Sequence, residues 1–319
     1  MESIEKLKTI YNNELKGQLS DMEKLRKTIK RNWLGASALI LITFIGYQAV
    51  DSEVSVLIIA LVGIIAIIFL FVRGIKKYFD YRKQFKKEVV SRIINLINTD
   101  FQYFPDSYTS EGFFLQSRLF NQKPDRYRGD DLVTGKIEKT DFEFSEIKAE
   151  YKTETTKDGK RQTEWHVIFN GLFFHADFNK HLQGTTFVLP DTAEKLLGKF
   201  GQKLQKMSSR GELVKLENPE FEKAFVVYSS SQNEARYILT PVMMEALVDM
   251  KKRYKRKMHF SFIGERVYCA VSYNKGLFEP RILKSGVNFD DVTEMYHMFG
   301  LIETIINQMN LNTRIWTKE

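Results

Sequence analysis

Two long apolar runs dominate the first quarter of the chain. Residues 34–50 read LGASALILITFIGYQAV and residues 54–72 read VSVLIIALVGIIAIIFLFV, and neither run contains Asp, Glu, Lys, Arg or His. As helices they would be about 25–29 Å long, close to the roughly 30 Å thickness of a bilayer's hydrocarbon core. One continuous helix would place Asp51 and Glu53 near the bilayer centre, which is costly. The pattern therefore predicts a transmembrane helical hairpin over residues 34–72 with a tight turn at 51–53.

Two other interpretations of these runs are less favoured. The helical hairpin of a soluble core rarely contains apolar runs this long and uniform. A signal peptide would begin nearer the N-terminus and carry small residues after its apolar stretch, whereas Ala36-Ser37-Ala38 come before it. A membrane anchor is the prediction that fits both the length and the position of the runs.

Basic residues flank the hairpin on both sides, while its turn carries acids. Those before it are Lys24, Arg26, Lys27, Lys30 and Arg31, and those after it are Arg73, Lys76, Lys77, Arg82, Lys83, Lys86 and Lys87. By the positive-inside rule, two spans in the plasma (cell inner) membrane would leave both termini in the cytoplasm. The predicted membrane-interface residues are Trp33, Lys30, Arg31, Arg73, Lys76 and Lys77. Their charges predict contact with anionic lipids, worth about 1 kcal/mol per residue near the surface.

Amphipathic patterns lie on each side of the hairpin, in residues 1–33 and 73–99. The apolar positions of the first are Ile4, Leu7, Tyr11, Leu15, Leu19, Met22, Leu25 and Ile29, and those of the second are Ile75, Tyr78, Phe79, Phe85, Val89, Ile93, Leu96 and Ile97. Steps of three and four residues indicate one apolar helix face each. The favoured interpretation is an antiparallel stalk, in which the faces bury each other. The alternative is that they mediate self-association or lie on lipid.

Residues 100–319 are predicted to form a cytoplasmic α+β domain with a mainly antiparallel sheet and about three helices. Alternation predicts a long hairpin of Asp141–Thr153 and Gln162–Asp177, with a bulge where the alternation changes phase near Ser145. Further predicted strands are Gly112–Ser117, Thr185–Leu189, Glu212–Leu216, Ala224–Tyr228, Arg236–Leu239, His259–Ile263 and Arg266–Ser272. Predicted helices are Thr192–Met207, Pro241–Tyr254 and Asp290–Met309.

Composition supports a folded domain beside the anchor. The chain has 319 residues with 25 Phe and 14 Tyr, and its net charge of +8 is concentrated near the apolar runs. That distribution favours a membrane surface over nucleic acid as the partner. Cys269 is the single cysteine, so no intramolecular disulfide forms.

Only one cluster of residues suggests chemistry. His175 and Asp177 would share a strand face, and His181 in the following turn would complete a three-ligand metal site. Polar edge-strand and turn residues explain the same pattern, because no further ligand completes a known motif. The serine-rich segment 228–236 lacks a Gly-x-Ser-x-Gly elbow, and the segment 129–136 has the wrong spacing for a phosphate loop. No cofactor is predicted, and catalysis is left open with the balance against it.

Several sequence segments of the chain resemble those of a known family. They are Gly171–Lys180, Val188–Asp191, Leu216–Tyr228 and Glu234–Pro241. Over roughly residues 85–310 the chain resembles the bacterial domain-of-unknown-function family numbered 3137, whose members commonly carry a two-helix membrane segment before this domain. The resemblance implies no activity and no catalytic residue.

The favoured functional expectation is a membrane-anchored binding, scaffold or regulatory module with a protein partner or self-association. The alternative is a membrane-tethered metal-dependent hydrolase that uses His175, Asp177 and His181.

Overall fold

A computed structural model describes residues 4–49, 52–137, 139–157, 160–177, 181–191, 210–274, 276–283, 285 and 289–308. The chain divides into two compact units. The helical unit comprises residues 1–97 and 278–297, and the sheet unit comprises residues 98–277 and 298–319.

Long helices form the helical unit. Helix α1 (Ile4–Ile10) continues through a π-helical turn (Tyr11–Leu15) into α2 (Lys16–Gln48), and α3 (Glu53–Phe85) continues through a second π-helical turn (Lys86–Val90) into α4 (Ser91–Ile97). The predicted amphipathic helices on both sides of the apolar runs are thus present as helices.

The helices pack as an antiparallel pair. A Cβ on Gly63 would overlap the Thr43 side chain, and one on Gly74 would overlap the Trp33 ring. Farther from the turn, Arg92 Nη1 lies 2.7 Å from Glu14 Oε2. Early residues of one helix therefore meet late residues of the other, as the stalk interpretation predicts.

The buried faces of the pair match the predicted apolar positions closely but not completely. Buried side chains are Leu7, Tyr11, Leu15, Leu19, Met22 and Ile29 on the first helix and Tyr81, Phe85, Val89, Val90, Ile93 and Ile94 on the second. The prediction was wrong at Ile4 and Phe79, which are 49% and 58% exposed. Residues 74, 81 and 85 lie on one face of the helix, because their spacings match the helical repeat. Residue 79 lies on a different face.

Within the described residues, one helix is long and apolar enough to cross a membrane by length and composition, the continuous helix Glu53–Ile97. The first predicted span lies in α2, whose apolar stretch begins only at Leu34, after Arg31 and Asn32, and ends with the helix at Gln48. Two spans are therefore not established by this criterion. The predicted turn residues 50 and 51 lie outside the described residues.

The described part of the sheet unit forms a nine-stranded antiparallel sheet of order β1-β2-β3-β4-β9-β8-β5-β7-β6. The strands are β1 (Gln102–Phe104), β2 (Arg126–Ile137), β3 (Thr140–Lys157), β4 (Lys160–Asp177), β5 (Thr185–Pro190), β6 (Glu212–Val214), β7 (Phe225–Ser229), β8 (Met258–Ile263) and β9 (Arg266–Ser272). The helices are α5 (Glu111–Gln116), α6 (Pro219–Ala224), α7 (Gln232–Ile238), α8 (Pro241–Tyr254) and α9 (Phe289–Gln308). Helix α9 begins in the helical unit and ends in the sheet unit. The predicted α+β class with an antiparallel sheet is confirmed.

Both faces of the sheet are buried along residues 142–149 of β3, and this explains why the apolar residues change from even to odd positions there. Phe142 and Phe144 point to one face, whereas Ile147 and Ala149 point to the other, and all four are buried. The β3–β4 pairing runs without a shift across these residues and shifts between residues 149 and 150. The β2–β3 pairing does shift near Ser145, where residues 131 and 132 of β2 stand opposite Ser145, so the extra residue lies on β2 and not on β3.

Some local predictions were also wrong. Gly112–Ser117 is not a strand, because α5 turns Phe114 into the core. Arg236–Leu239 is not a strand either, because the Ser231 side chain accepts a hydrogen bond from Glu234 N and caps α7. The predicted helix Thr192–Met207 lies outside the described residues. Helix α8 begins as predicted, with Thr240 accepting from Met243 N.

Gly171 allows β4 to approach β9 closely. Its φ is +151°, and a Cβ there would overlap the backbone oxygen of Val271. We expect Gly171→Ala to destabilise the protein by about 1–3 kcal/mol from backbone strain, with the overlap adding to this. Thermal unfolding of the full chain measures the effect. The control is Gly112→Ala in α5, where the nearest atom would be 3.5 Å from the new Cβ. An equal, small effect of both changes would contradict the strain argument.

Candidate functional site

A cleft of about 450 Å³ opens on the sheet unit where β1, β2, β3, β4 and β9 lie side by side. Its lining residues are Asp100, Gln102, Phe113, Thr134, Gly135, Lys136, Asp141, Phe142, Glu143, His175 and Arg266. Strand register assembles the inner part, because Glu143 lies opposite His175 on the neighbouring strand. The lining is mostly polar and carries charges of both signs, so the cleft suits a polar ligand.

A buried histidine forms the innermost part of this cleft. His175 is 4% exposed, its Nε2 lies 3.0 Å from Glu143 Oε2, and its Nδ1 lies 3.1 Å from Arg266 Nη1. Arginine only donates, so Nδ1 accepts and Nε2–H donates to Glu143. The Phe113 ring lies 4.0 Å from the His175 ring, centre to centre, and Arg266 Cζ lies 5.0 Å from the Phe113 ring centre. These contacts fix the orientation and tautomer of the imidazole.

The environment keeps His175 neutral. Burial lowers its pKa, Glu143 partly offsets this, and the charge of Arg266 lowers the pKa further. The net pKa is below the ordinary value of 6.5. Since the folded pKa is lowered, the contribution of this group to stability is complete above the unfolded pKa and is lost as the pH falls through the folded pKa.

Replacing the partner of His175 tests this arrangement. We expect Glu143→Gln to lower the pKa of His175 further, because the change removes the charge that favours the imidazolium. An NMR titration of the His175 ring in the full chain measures the shift. His181→Gln is the control, since its ring pairs with Glu265. A raised or unchanged pKa of His175 would contradict the assigned contact.

The residues of the predicted metal site are partly brought together. His175 and Asp177 lie on the same face of β4, as expected. His181 is exposed, and its Nδ1 lies 3.1 Å from Glu265 Oε1. Both ring nitrogens of His175 already contact protein groups. A metal site on His175, Asp177 and His181 therefore stays a prediction.

Sequence reasoning missed an acidic cluster beside the β2 irregularity. Carboxylate oxygens of Asp130, Asp131 and Glu146 lie within 4.8 Å of one another. Asp131 is buried and accepts from the Tyr103 hydroxyl, and Glu146 Oε1 accepts from Leu277 N at 2.6 Å. Protein donors thus already bind the carboxylates of Asp131 and Glu146. The adjacent Asp-Asp pair was the available signal, but the segment was considered only as a phosphate loop.

The serine-rich segment serves local structure. Ser230 Oγ accepts from Thr185 N, and Ser231 Oγ accepts from Glu234 N. The Glu234 carboxylate accepts from Gln183 N and Gly184 N at 3.0 and 2.7 Å. These contacts support the interpretation of a polar turn.

Comparisons with known proteins give a family but no activity. No curated protein matches the chain. One similar solved structure is the mycobacterial trehalose monomycolate transport factor A, TtfA, with 10% sequence identity, coverage of 70% of this chain and 97% of that chain, and a TM-score of 0.34. At this TM-score the likeness supports no statement about fold or function.

The family match covers a shorter stretch than the resemblance suggested. Residues 167–311 match the model of a family described as "Protein of unknown function (DUF3137)". This range begins in β4 and includes His175, Arg266 and His259, whereas β1, β2 and β3 precede it. Residues 167–311 of this chain therefore match the DUF3137 family of proteins of unknown function.

Proposed function

We propose that this chain is a membrane-anchored binding protein whose sheet unit takes up a polar ligand or partner segment in the His175 cleft at the cytoplasmic face of the membrane. The proposal of a binding role is based on the cleft itself. At its base, His175 contacts both Glu143 and Arg266. A preformed cleft with a few fixed polar groups is the usual form of a binding site.

Exposed apolar surface supports the anchor. On α2 the exposed large apolar residues are Leu34, Ile40, Leu41, Ile42, Phe44, Ile45 and Tyr47, and on α3 they include Val54, Leu57, Ile58, Leu61, Val62, Ile64, Ile65, Ile68, Phe69, Phe71 and Val72. So large a continuous apolar surface needs lipid or protein to cover it. Because both helices carry it, we propose two spans, although the apolar stretch of α2 (residues 34–48) is shorter than that of α3 (residues 54–72).

Charge supports the orientation and the lipid partner. A groove of about 500 Å³ on α3 is lined by Ile65, Ile68, Phe69 and Val72, with Arg73 and Lys76 following them. Acyl chains would lie on the apolar part and an anionic head group beside the two cations. Trp33 lies at this level of the helix pair, beside Gly74 and Tyr78, and Lys30, Arg31 and Lys77 are close to these residues in sequence. Both termini then face the cytoplasm, and nucleic acid is not a proposed partner.

A metal-dependent hydrolase receives less support. It would need the ring nitrogens of His175 free to ligate, and these contact Glu143 and Arg266. The proposal is accordingly a binding, scaffold or regulatory role, with a protein partner or a second copy as the other participant.

Photo-crosslinking in native membranes tests the binding role. A photoreactive residue at Gln102, on the cleft, should give a defined adduct that the same residue at Gln162, on the exposed part of β4, does not give. Arg266→Gln should weaken the adduct without changing the melting temperature. Equal adducts at both positions, no adduct at Gln102, or an adduct unaffected by Arg266→Gln would contradict the proposal.

A further inference from the structure

Two charged groups at the base of the His175 cleft contact the same neutral ring and not each other. Glu143 Oε2 lies 3.0 Å from His175 Nε2, and Arg266 Nη1 lies 3.1 Å from His175 Nδ1. Because arginine can only donate, Nδ1 is unprotonated and the imidazole is uncharged. The ring therefore holds a carboxylate and a guanidinium apart.

Neither charge is compensated by an ion pair within the described residues. Glu143 forms no ion pair with a lysine or arginine there, and Arg266 forms none with a carboxylate, although Asp177 lies opposite it on β4. Arginine and carboxylate groups in proteins commonly pair directly, often through two parallel hydrogen bonds. The separation of these two groups leaves each of them able to bind a group of opposite charge.

The cleft provides space for such groups and access to both charges. Its volume of about 450 Å³ lies within the range of roughly 300–1,000 Å³ typical of small-molecule sites, and Glu143, His175 and Arg266 all line it. The Glu143 side chain is 27% exposed. Arg266 Cζ lies 5.0 Å from the centre of the Phe113 ring. A cation–π contact does not use hydrogen-bond donors, so the N–H groups of Arg266 that do not bind His175 stay available to a ligand.

The spacing of the two charges indicates the size of the ligand. The two nitrogens of the imidazole are joined through one carbon, Cε1. In an α-amino acid, the ammonium and carboxylate groups are likewise joined through one carbon. With hydrogen bonds of about 2.7–2.9 Å at each end, such a molecule beside the ring reaches from Glu143 to Arg266.

We propose that the cleft binds the zwitterionic head of an α-amino acid, with its ammonium group on Glu143 and its carboxylate on Arg266. This inference rests on the proposed binding role of the cleft and names the class of ligand. Arginine suits the carboxylate because its donors form a rigid fork that matches it. His175 is a positioning residue, since its two contacts set the spacing of the charges.

A ligand with a single charge fits less well. An anion on Arg266 would lie near Glu143, and a cation on Glu143 would lie near Arg266. Lys136 and Asp141 favour neither sign, because they pair with each other, with Nζ 3.5 Å from Oδ2. Asp100 adds one negative charge to the lining. An amino acid with a neutral or basic side chain is therefore favoured over an acidic one.

NMR of the histidine rings in the full chain, kept in nanodiscs, tests the proposal. The common L-amino acids are titrated singly up to about 10 mM, at about pH 6.5, where α-amino groups stay protonated. The chain has five histidines, and a His175→Gln variant assigns the signal. We expect at least one amino acid to shift the His175 ring resonances saturably, and the two acidic amino acids to bind at least tenfold more weakly than it.

Derivatives of the tightest amino acid separate its two charges. Its carboxamide lacks the carboxylate and its N-acetyl form lacks the ammonium group, so each should bind at least tenfold more weakly. Ethanolamine phosphate carries the two charges of a lipid head group at a longer spacing, and it should also bind more weakly. Binding of ethanolamine phosphate more tightly than every amino acid would overturn the proposal in favour of a lipid head group.

Matched variants show which residue holds which charge. Arg266→Gln should weaken binding of the amino acid at least tenfold without weakening that of its carboxamide. Glu143→Gln should likewise weaken binding of the amino acid without weakening that of its N-acetyl form. The controls Arg236→Gln on α7 and Glu154→Gln on β3, both at exposed positions, should change neither.

The unmodified chain alone already decides the proposal, so the test does not depend on the folding of a variant. No shift of His175 by any amino acid, or equal binding of the amino acid and one of its derivatives, would overturn it. If the Gln102 crosslink forms but no amino acid shifts His175, the inference fails and the proposed binding role stands. If neither is observed, both fail.

Discussion

Glu279→Ala should lower the stability of the helical unit by about 3–5 kcal/mol, the usual cost of leaving a buried charge without its partner. Glu279 lies 3.1 Å from Lys86 Nζ and 2.6 Å from Arg82 Nη2. The Lys86 side chain is only 3% exposed, so it cannot recover its hydration in the variant. Thermal unfolding of the full chain measures the loss. Hydrogen exchange of residues 278–283, which carry Glu279, shows whether the contact opens locally.

The matched control for this ion pair is exposed. Glu220→Ala removes the partner of Lys252, and these side chains are 68% and 62% exposed. That change should leave the melting temperature nearly unchanged, because solvent screens the pair. Similar effects of the two substitutions would contradict the buried role of Glu279.

The Glu279 ion pair also predicts a pH dependence. Burial raises the pKa of Glu279, but the hydrogen bond from Arg82 and the charge of Lys86 outweigh it, so the net pKa is lowered. A lowered folded pKa gives stability that is complete above the unfolded value of about 4.5 and is lost as the pH falls through the folded value. Glu279→Ala should remove this part of the acid sensitivity.

Ile64→Asp with Ile65→Asp should strongly reduce membrane integration. Both side chains are exposed in the middle of the apolar part of α3. Each carboxylate at a bilayer centre costs about 2.5–3.5 kcal/mol, so the pair costs about 5–7 kcal/mol. The fraction of the chain that resists extraction from membranes by alkaline carbonate measures the effect.

Phe79→Asp with Lys83→Asp controls for added charge on the same helix outside the apolar run. Phe79 is 58% exposed, and cationic residues surround it in sequence. The control should remain fully integrated. Loss of integration by both double variants, or by neither, would contradict the assignment of α3 as a spanning helix.

The helices and strands that were predicted correctly are those that a local sequence pattern indicates. Alternation located β3 and β4, and Thr240-Pro241 marked the start of α8. Strand β2 was missed because its segment is polar and glycine-containing, and its strand conformation depends on pairing with β1 and β3. Helix α5 was missed because a short apolar run does not distinguish a helix from a strand.

The contacts that form the candidate site could not be predicted, because they join residues from different strands and no local sequence pattern indicates them. His175 was singled out from its neighbours Asp177 and His181, but its contacts, Glu143 and Arg266, come from β3 and β9. They become neighbours only through the strand order β3-β4-β9. The pairing of Glu279 with Lys86 also joins residues far apart in sequence, in this case within the helical unit.

Cysteine accessibility in intact cells tests the anchored topology most directly. Cys269 is buried, and burial raises the pKa of its thiol, so the chain has an unreactive background. Single cysteines are placed at the exposed positions Asn13, Ser52 and Thr156. A membrane-impermeant maleimide should label Ser52→Cys in intact cells, and Asn13→Cys and Thr156→Cys only after permeabilisation. Labelling of Asn13→Cys in intact cells would indicate one span, and labelling of Thr156→Cys would contradict a cytoplasmic sheet unit.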